Sequence, residues 1–476
     1  MSTSSSIGGG SGVGGGTSLL GGKFRHGVNF GYTPGWDDQQ SATIARAAGA
    51  DGARLSFPES HFDQWGYGIE VGDNAAYQTI GLHNNVAFLS GPTAAHSTAP
   101  TGGDTTHFIP KNLYEPIFLG DGSVNPDNYW ANYVDQTMTT YKDYVKVYSV
   151  WNEPDWVADW QVTQDWDTTA PDASDLPRFN GSIYDYVRML RITKEVAAHV
   201  DPSLKVAVGG LGYPSFLGAV LRYTDNPAGG AVSAEYPETG ASYFDVVDMH
   251  YYPIFGGAGS SDVGVDGLLG LHAAFEAELT KAGAGSRPFI VTENGAPRVS
   301  VGGAPGGEAY ARNYLLKSMT LAHADGIAGV DWFALSDGTD TSSSSFASMG
   351  LYESLASASG PDAAVRTPTG EAYRTLEALL EDALFDVDGT AALALVDPVR
   401  GAAFQTKDGK HAVVVWQRAS GTDETASGAL SMASDASWDR YEWDAAAHGM
   451  EKTTLSPAGG HVEVSLTSSP AILVEE

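Results

Sequence analysis

Short apolar runs recur along this chain, and residues with helical periodicity fill most of the gaps between them. GVNFGY (27–32), GARLSFPE (52–59), VAFLSGP (86–92) and VKVYSVWNEP (145–154) are the first four runs. LKVAVGGLG (204–212), FDVVDMHYYP (244–253), PFIVTENGAP (288–297) and GVDWFALSD (329–337) follow. Between them QQSATIARAAGA, NYWANYVDQTMTTYKDY, SIYDYVRMLRITKEVAAHV, LLGLHAAFEAELTKAG and EAYARNYLLKSMTLAHADG space their apolar positions as helices do, and GEAYRTLEALLEDALF closes the series. Near-continuous apolar strands alternating with helices predict a parallel sheet covered by helices. Eight such units over residues 24–385 predict an α/β fold, a (β/α)₈ TIM barrel rather than an open sheet.

The period changes after residue 385. GAAFQTKDGKHAVVVWQRA, SWDRYEWDA, HVEVSLTS and PAILVEE alternate polar and apolar residues between DG and glycine-rich turns. They predict a C-terminal antiparallel β-sandwich over residues 386–476. DVDGT (386–390) lacks the remaining ligands of a calcium loop and is expected to be a turn at the junction. Residues 1–23 are Gly/Ser-rich and predict a flexible arm. They have neither the basic nor the apolar region of a Sec signal peptide. The expected setting is secreted or extracellular, with the cytoplasm as the alternative.

Composition narrows the chemistry. The 476 residues carry 58 acidic against 26 basic side chains, a net charge of -32, which argues against nucleic acid or an anionic membrane as partner. No apolar run is long enough to span a bilayer. The absence of cysteine excludes disulfides, thiolate catalysis and cysteine-ligated metals. The 12 histidines show no metal-ligand spacing, and the glycine clusters at 8–16 and 301–307 do not join a strand to a helix. Neither a cofactor nor a metal is expected.

Barrel chemistry sits at the C-terminal ends of the strands. Those ends hold Asn29, Arg54 and Glu59, Asn152 and Glu153, His250 and Tyr252, Glu293 and Asn294, and Trp332. They are polar, charged or aromatic where the strand bodies are apolar. Strands about 4.8 Å apart and tilted about 36° give a barrel radius of about 7–8 Å. Glutamates on the fourth and seventh strands would then leave roughly 6 Å between carboxylates, near the about 5–5.5 Å of retaining glycosidases. That estimate permits a direct nucleophile without separating retention from inversion.

WNEP closing the fourth strand and VTENG closing the seventh resemble the paired motifs of clan A of the glycoside hydrolases. With the trailing sandwich, the chain is most similar to family 39 and its neighbours, with family 5 as second choice. The resemblance implies that Glu153 is the general acid/base and Glu293 the nucleophile. It implies that Asn152 hydrogen-bonds the sugar 2-hydroxyl. It assigns His250 and Tyr252 to the clan's sixth-strand H-x-Y, Arg54 to the second-strand arginine, and Trp332 to the aromatic floor under the sugar. Asn29 and Glu59 have no firm counterpart and are expected only as wall residues.

Glu153 needs a proton near neutral pH, and Trp151 and Trp156 are expected to supply the apolar surroundings that favour it. Trp156, Trp160 and Trp166 belong to a cluster of four tryptophans among eleven in the chain, and are expected to stack on distal sugars or to pin a long loop. Loops 93–126 and 338–369 are expected to wall a cleft. The implied activity is retaining hydrolysis of an oligo- or polysaccharide, with carbohydrate as the partner and oligomeric state open. A transglycosylase using the same residues and a catalytically silent carbohydrate-binding barrel are the alternatives.

Overall fold

The computed structural model describes Leu19 and residues 23–159, 164–256, 259–419, 421 and 423–476. Eight parallel strands form the barrel: β1 (Arg25–Asn29), β2 (Gly52–Pro58), β3 (Asn85–Ser90), β4 (Val145–Val150), β5 (Lys205–Val208), β6 (Val247–Tyr251), β7 (Phe289–Asn294) and β8 (Gly329–Trp332). Hydrogen bonding runs β5-β4-β3-β2-β1-β8-β7-β6, and parallel bridges Ala207↔Val246 and Leu211↔Met249 close the ring between β5 and β6. The strand bodies are buried on both faces, as a helix-covered parallel sheet requires.

The expected helices are present, and the structure adds Glu59–Trp65, Val71–Ile80 and Pro214–Arg222. Helix Ser261–Ala282 begins seven residues before the apolar repeat at Leu268. Its first turn has no side-chain cap of its own. The backbone N–H of Ser261 instead donates to Glu424 Oε1 at 2.6 Å, from the C-terminal domain. A carboxylate at a helix N-terminus satisfies an orphan donor and complements the dipole.

The C-terminal strands are β9 (Leu384–Phe385), β10 (Val399–Gln405), β11 (His411–Gln417), β12 (Ser427–Ala433), β13 (Trp438–Tyr441), β14 (Thr453–Leu455), β15 (His461–Thr467) and β16 (Ala471–Glu475). A six-stranded antiparallel sheet, β14-β13-β16-β11-β10-β9, is accompanied by the β12-β15 pair, and Val413, Val415, Met432 and Val464 share the core between them. β9 starts two residues before the expected boundary at 386. DVDGT is not a turn: Asp386 caps helix Val387–Ala392 by accepting from Gly389 N–H.

A buried polar cluster docks this domain on the barrel. Trp416 Nε1 donates to Asp262 at 2.8 Å, and Lys317 Nζ donates to Asp262 at 2.6 Å. Most of the expected N-terminal arm lies outside the described residues. Leu19, however, is buried in an apolar cluster with Val147, Ala207 and Ile290 of the barrel strands.

Candidate active site

The stretch after β4 shows how the fold aims one carboxylate. Trp151 and Glu153 both have positive φ, 74° and 48°, a region that side-chain-bearing residues rarely occupy. Backbone bonds hold the turn: Trp151 N–H donates to Leu89 O and Glu153 N–H to Gly209 O, each at 2.9 Å. Pro154 then prevents further strand pairing. Strain over-determined by its surroundings is a mark of a working site.

Glu293 is aimed from the opposite side. The β6–β7 register shifts so that Met249 faces Val291 while His250 faces Glu293, leaving Thr292 as an extra residue on β7. A bulge of this kind re-aims side chains at a barrel rim. Gly210 makes room for the result, since a Cβ there would lie 2.2 Å from His250 Nε2.

The two carboxylates meet around His250. Its Nδ1 lies 3.0 Å from Glu153 Oε1 and 3.6 Å from Glu293 Oε2. One oxygen of each glutamate falls within 4.8 Å of the other. His250 Nε2 sits 3.1 Å from Thr292 Oγ1, whose hydroxyl donates to Asp248 at 2.7 Å. With that acceptor taken by Nε2–H, Nδ1 is the ring nitrogen that faces the glutamates. Burial alone would lower the imidazole pKa, but Glu293 and Glu153 outweigh it and raise it above its ordinary value.

The surroundings of the two glutamates differ. Glu293 accepts from Arg54 Nη1 on one oxygen and from the Tyr252 hydroxyl on the other, at 2.7 Å. Burial by itself would raise its pKa; His250, Arg54 and Tyr252 prevail and hold it below the usual carboxylate range. Burial and the Glu293 charge push the Tyr252 phenol well up, so it stays a neutral donor. Arg54 Nη2 also donates to Asn152 Oδ1 at 2.5 Å, which orients that amide. Glu153 Oε2 accepts from Arg178 Nη1 instead. The Arg178 guanidinium lies 4.1 Å from the centre of the Trp156 ring.

Glu153, His250 and Glu293 have the spacing of a metal-ligand set. Two guanidinium groups already occupy the carboxylates, and their charge opposes a cation. The donor set therefore fits proton transfer better than metal binding. The site opens into a cavity of about 810 Å³ that extends past Trp156, Val157, Tyr213 and Leu271.

No family model matches the chain, and the comparison with curated proteins finds no match. Solved structures do match. A family 39 glycoside hydrolase from Bacteroides cellulosilyticus WH2 superposes with a TM-score of 0.63 at 17% identity, over 95% of this chain and 81% of that one. A monomeric beta-xylosidase from Caulobacter crescentus CB15 gives 0.56 at 16% identity, over 95% of both chains. A family 30 xylanase from Clostridium acetobutylicum gives 0.55 at 14% identity, over 95% of this chain and 96% of that one. The chain shares their fold, a parallel eight-stranded barrel followed by an antiparallel β-sheet domain.

Within that fold, the structure gathers Glu153, Glu293, Asn152, Arg54, His250 and Tyr252 into one hydrogen-bonded group. Trp332 is not part of it. Its side chain is buried, with the indole N–H donating to Met349 O at 2.7 Å, and it packs on Tyr314 of helix Glu308–Ala324. Asp331 pairs inward with Arg25, so period-two alternation turns Trp332 outward and Phe333 inward. Phe333 is the aromatic residue that lines the cavity.

Asn29 is not a wall residue either. Its Nδ2 donates to Thr292 O at 2.9 Å and braces β7 just before Glu293. Glu59 accepts from Thr93 N–H and contacts His96, which secures the loop after β3. Trp166 packs against Tyr213 and Phe216, and Trp151 is buried beside Phe179. Trp156 lines the cavity, whereas Trp160 lies outside the described residues. Loop 338–369 contributes Phe346 to the lining, and loop 93–126 contributes none of it. The expectation of apolar neighbours around Glu153 is corrected by Arg178.

Sequence reasoning missed Arg178, Tyr213, Phe255 and Phe346. Tyr213 and Phe255 had a signal, being aromatic residues just past the ends of β5 and β6. Phe346 is an aromatic residue in a serine-rich loop. Arg178 sits 25 residues from Glu153 in an irregular segment, and no local pattern marks it.

Proposed function

We propose that this protein is a retaining β-glycoside hydrolase acting by double displacement, with Glu293 as nucleophile and Glu153 as acid/base. The observation that carries the reading is the carboxylate pair. One oxygen of each glutamate lies within 4.8 Å of one of the other, a close approach that favours the about 5–5.5 Å spacing of retaining sites over the about 6.5–9.5 Å of inverting ones. The resemblance of the strand-end motifs and the structural neighbours named as glycoside hydrolase, xylosidase and xylanase support a glycosidic substrate.

In the first step Glu293 attacks the anomeric carbon while Glu153 gives its proton to the departing oxygen. In the second, Glu153 takes a proton from water as the glycosyl-enzyme ester is hydrolysed. Arg54 and Tyr252 keep Glu293 ionised until it attacks. Asn152, its carbonyl taken by Arg54, directs its N–H₂ end to the sugar 2-hydroxyl. Arg178 donates to Glu153 Oε2 while its guanidinium stacks on Trp156.

Stereochemistry tests the assignment. Wild-type hydrolysis followed by NMR should retain the anomeric configuration. With azide, Glu293→Gly should give an inverted glycosyl azide and Glu153→Ala, on an activated aryl glycoside, a retained one. Inversion by the wild type, or one shared configuration from both variants, overturns the double displacement.

A further inference from the structure

The cavity is chemically lopsided. Its charged lining residues are Glu153, Asp155, Arg178, His250 and Glu293. Asp155 is already committed, because its Oδ2 accepts from the backbone N–H groups of Gly212 and Tyr213 at 2.9 and 2.8 Å. Beyond Trp156 the walls are Val157, Ala158, Tyr213, Tyr251, Leu271 and Ala274. In a chain with 18% charged residues, that arm has no charged side chain of its own among the described residues.

We infer that this arm is the leaving-group site and that it takes the hydrophobic aglycone of a β-glycoside, an alkyl or aryl alcohol rather than a second sugar. The inference rests on the hydrolase reading above and names the substrate class of that site. The nucleophile attacks from the face opposite the bond that breaks, so the aglycone leaves away from Glu293 and on the side of Glu153. The arm opens on that side, between the segments that follow β4, β5 and β6 and helix Ser261–Ala282.

A sugar placed there would lose water from several hydroxyls, and buried hydroxyls need partners. Among the described residues, tyrosine hydroxyls are the only polar side-chain groups on these walls. An apolar alcohol needs only its oxygen served, and Glu153 protonates it. The about 810 Å³ of the whole cavity lies in the upper part of the ~300–1,000 Å³ range of sites for drug-sized ligands, more than one sugar ring fills.

Gly270 gives a handle on the arm. It lies within helix Ser261–Ala282 and lines the cavity, and a Cβ there meets nothing within 4 Å. Leucine at this position would project into the arm while improving helix propensity.

A panel of glycosyl fluorides, which carry no aglycone, identifies the accepted sugar. Methyl and octyl glycosides of that sugar then differ in aglycone size but hardly in leaving-group chemistry. The expected kcat/KM ratio of octyl over methyl is at least thirtyfold, with the octyl glycoside also ahead of the matching disaccharide. Gly270→Leu should reduce the octyl-to-methyl ratio at least tenfold, and Ala274→Phe, one turn further on, serves if that variant misfolds. A ratio near one, preference for the disaccharide, or a ratio unchanged in both variants overturns the inference. Binding of 2-naphthol by calorimetry reads the arm without turnover. Binding that Gly270→Leu weakens tenfold, with no fluoride hydrolysed, would support the apolar site and sink the hydrolase reading alone. Absence of 2-naphthol binding overturns the arm.

Discussion

Tyr252 and Asp155 show how single groups tune this site through what they touch. Tyr252 donates to Glu293 and, with His250 and Arg54, holds that carboxyl below its ordinary pKa. Removing the hydroxyl in Tyr252→Phe should let the Glu293 pKa rise. In the proposed mechanism Glu293 attacks as the carboxylate, so the acid limb of kcat/KM should move to higher pH, with a loss of kcat of roughly tenfold to a hundredfold, about 1.4–2.7 kcal/mol. A pH–rate profile superimposable on that of the wild type would remove the hydroxyl from this role. Asp155 shows the opposite sign. Burial raises its pKa from 3.8 to about 7, even though Tyr213 and Gly212 donate to it. The native state therefore binds a proton that the unfolded chain has lost between about pH 4 and pH 7, so this group's contribution to stability falls as pH rises through that window. Asp155→Asn keeps an acceptor for both backbone N–H groups without the buried charge. Its Tm should match the wild type near pH 4 and exceed it at pH 8, with an upper bound of about 4 kcal/mol. A constant Tm difference across pH would exclude Asp155 as the cause.

Elements are joined here by contacts that no local pattern announces. Glu424 accepts from Ser261 N–H, Ser261 Oγ and Asn313 Nδ2, the last at 2.9 Å, and lies 3.8 Å from Lys317. It caps one barrel helix and ties a second to the C-terminal domain. Glu424→Ala leaves those donors buried without their acceptor, and breaking such a buried charge cluster costs about 3–5 kcal/mol. Calorimetry should show a lower Tm or a split transition, while turnover well below that temperature persists. An unchanged Tm would mean the junction is held elsewhere. The same contact explains why helix Ser261–Ala282 extends beyond its legible part. Gly264, Gly267 and Gly270 weaken its first half, which is held by the tertiary cap and by the packing of Asp262, Val265 and Leu268.

For the whole molecule the dominant quantity is charge. A net charge of -32 on 476 residues destabilises the compact state through self-repulsion, which salt screens. Raising NaCl from about 0.05 M to about 1 M, where the Debye length falls to about 3 Å, should therefore raise Tm. Surface ion pairs such as Lys281–Asp167 weaken under the same change, but exposed pairs contribute only about 0–1 kcal/mol each. A Tm that falls with salt would show that local pairs outweigh the net charge.

The amino-acid order by itself determined the barrel, the trailing antiparallel sheet and the two glutamates. Apolar periodicity is set by nearest neighbours, and a strand's C-terminal end is a place that any barrel turns into its working rim. Asn152, His250 and Tyr252 were legible for the same reason, whereas Arg54 is the third residue of β2 rather than its end, so it was marked by the family resemblance. Tertiary structure decided what depends on a single-residue step or a long reach. Alternation after Asp331 put Phe333 rather than Trp332 into the cavity. An irregular loop brought Arg178 to Glu153, a carboxylate from a later domain started a helix, and an uncharged arm opened beside Glu153. Such features follow from packing between segments distant in sequence, where no periodicity records which side chains will meet.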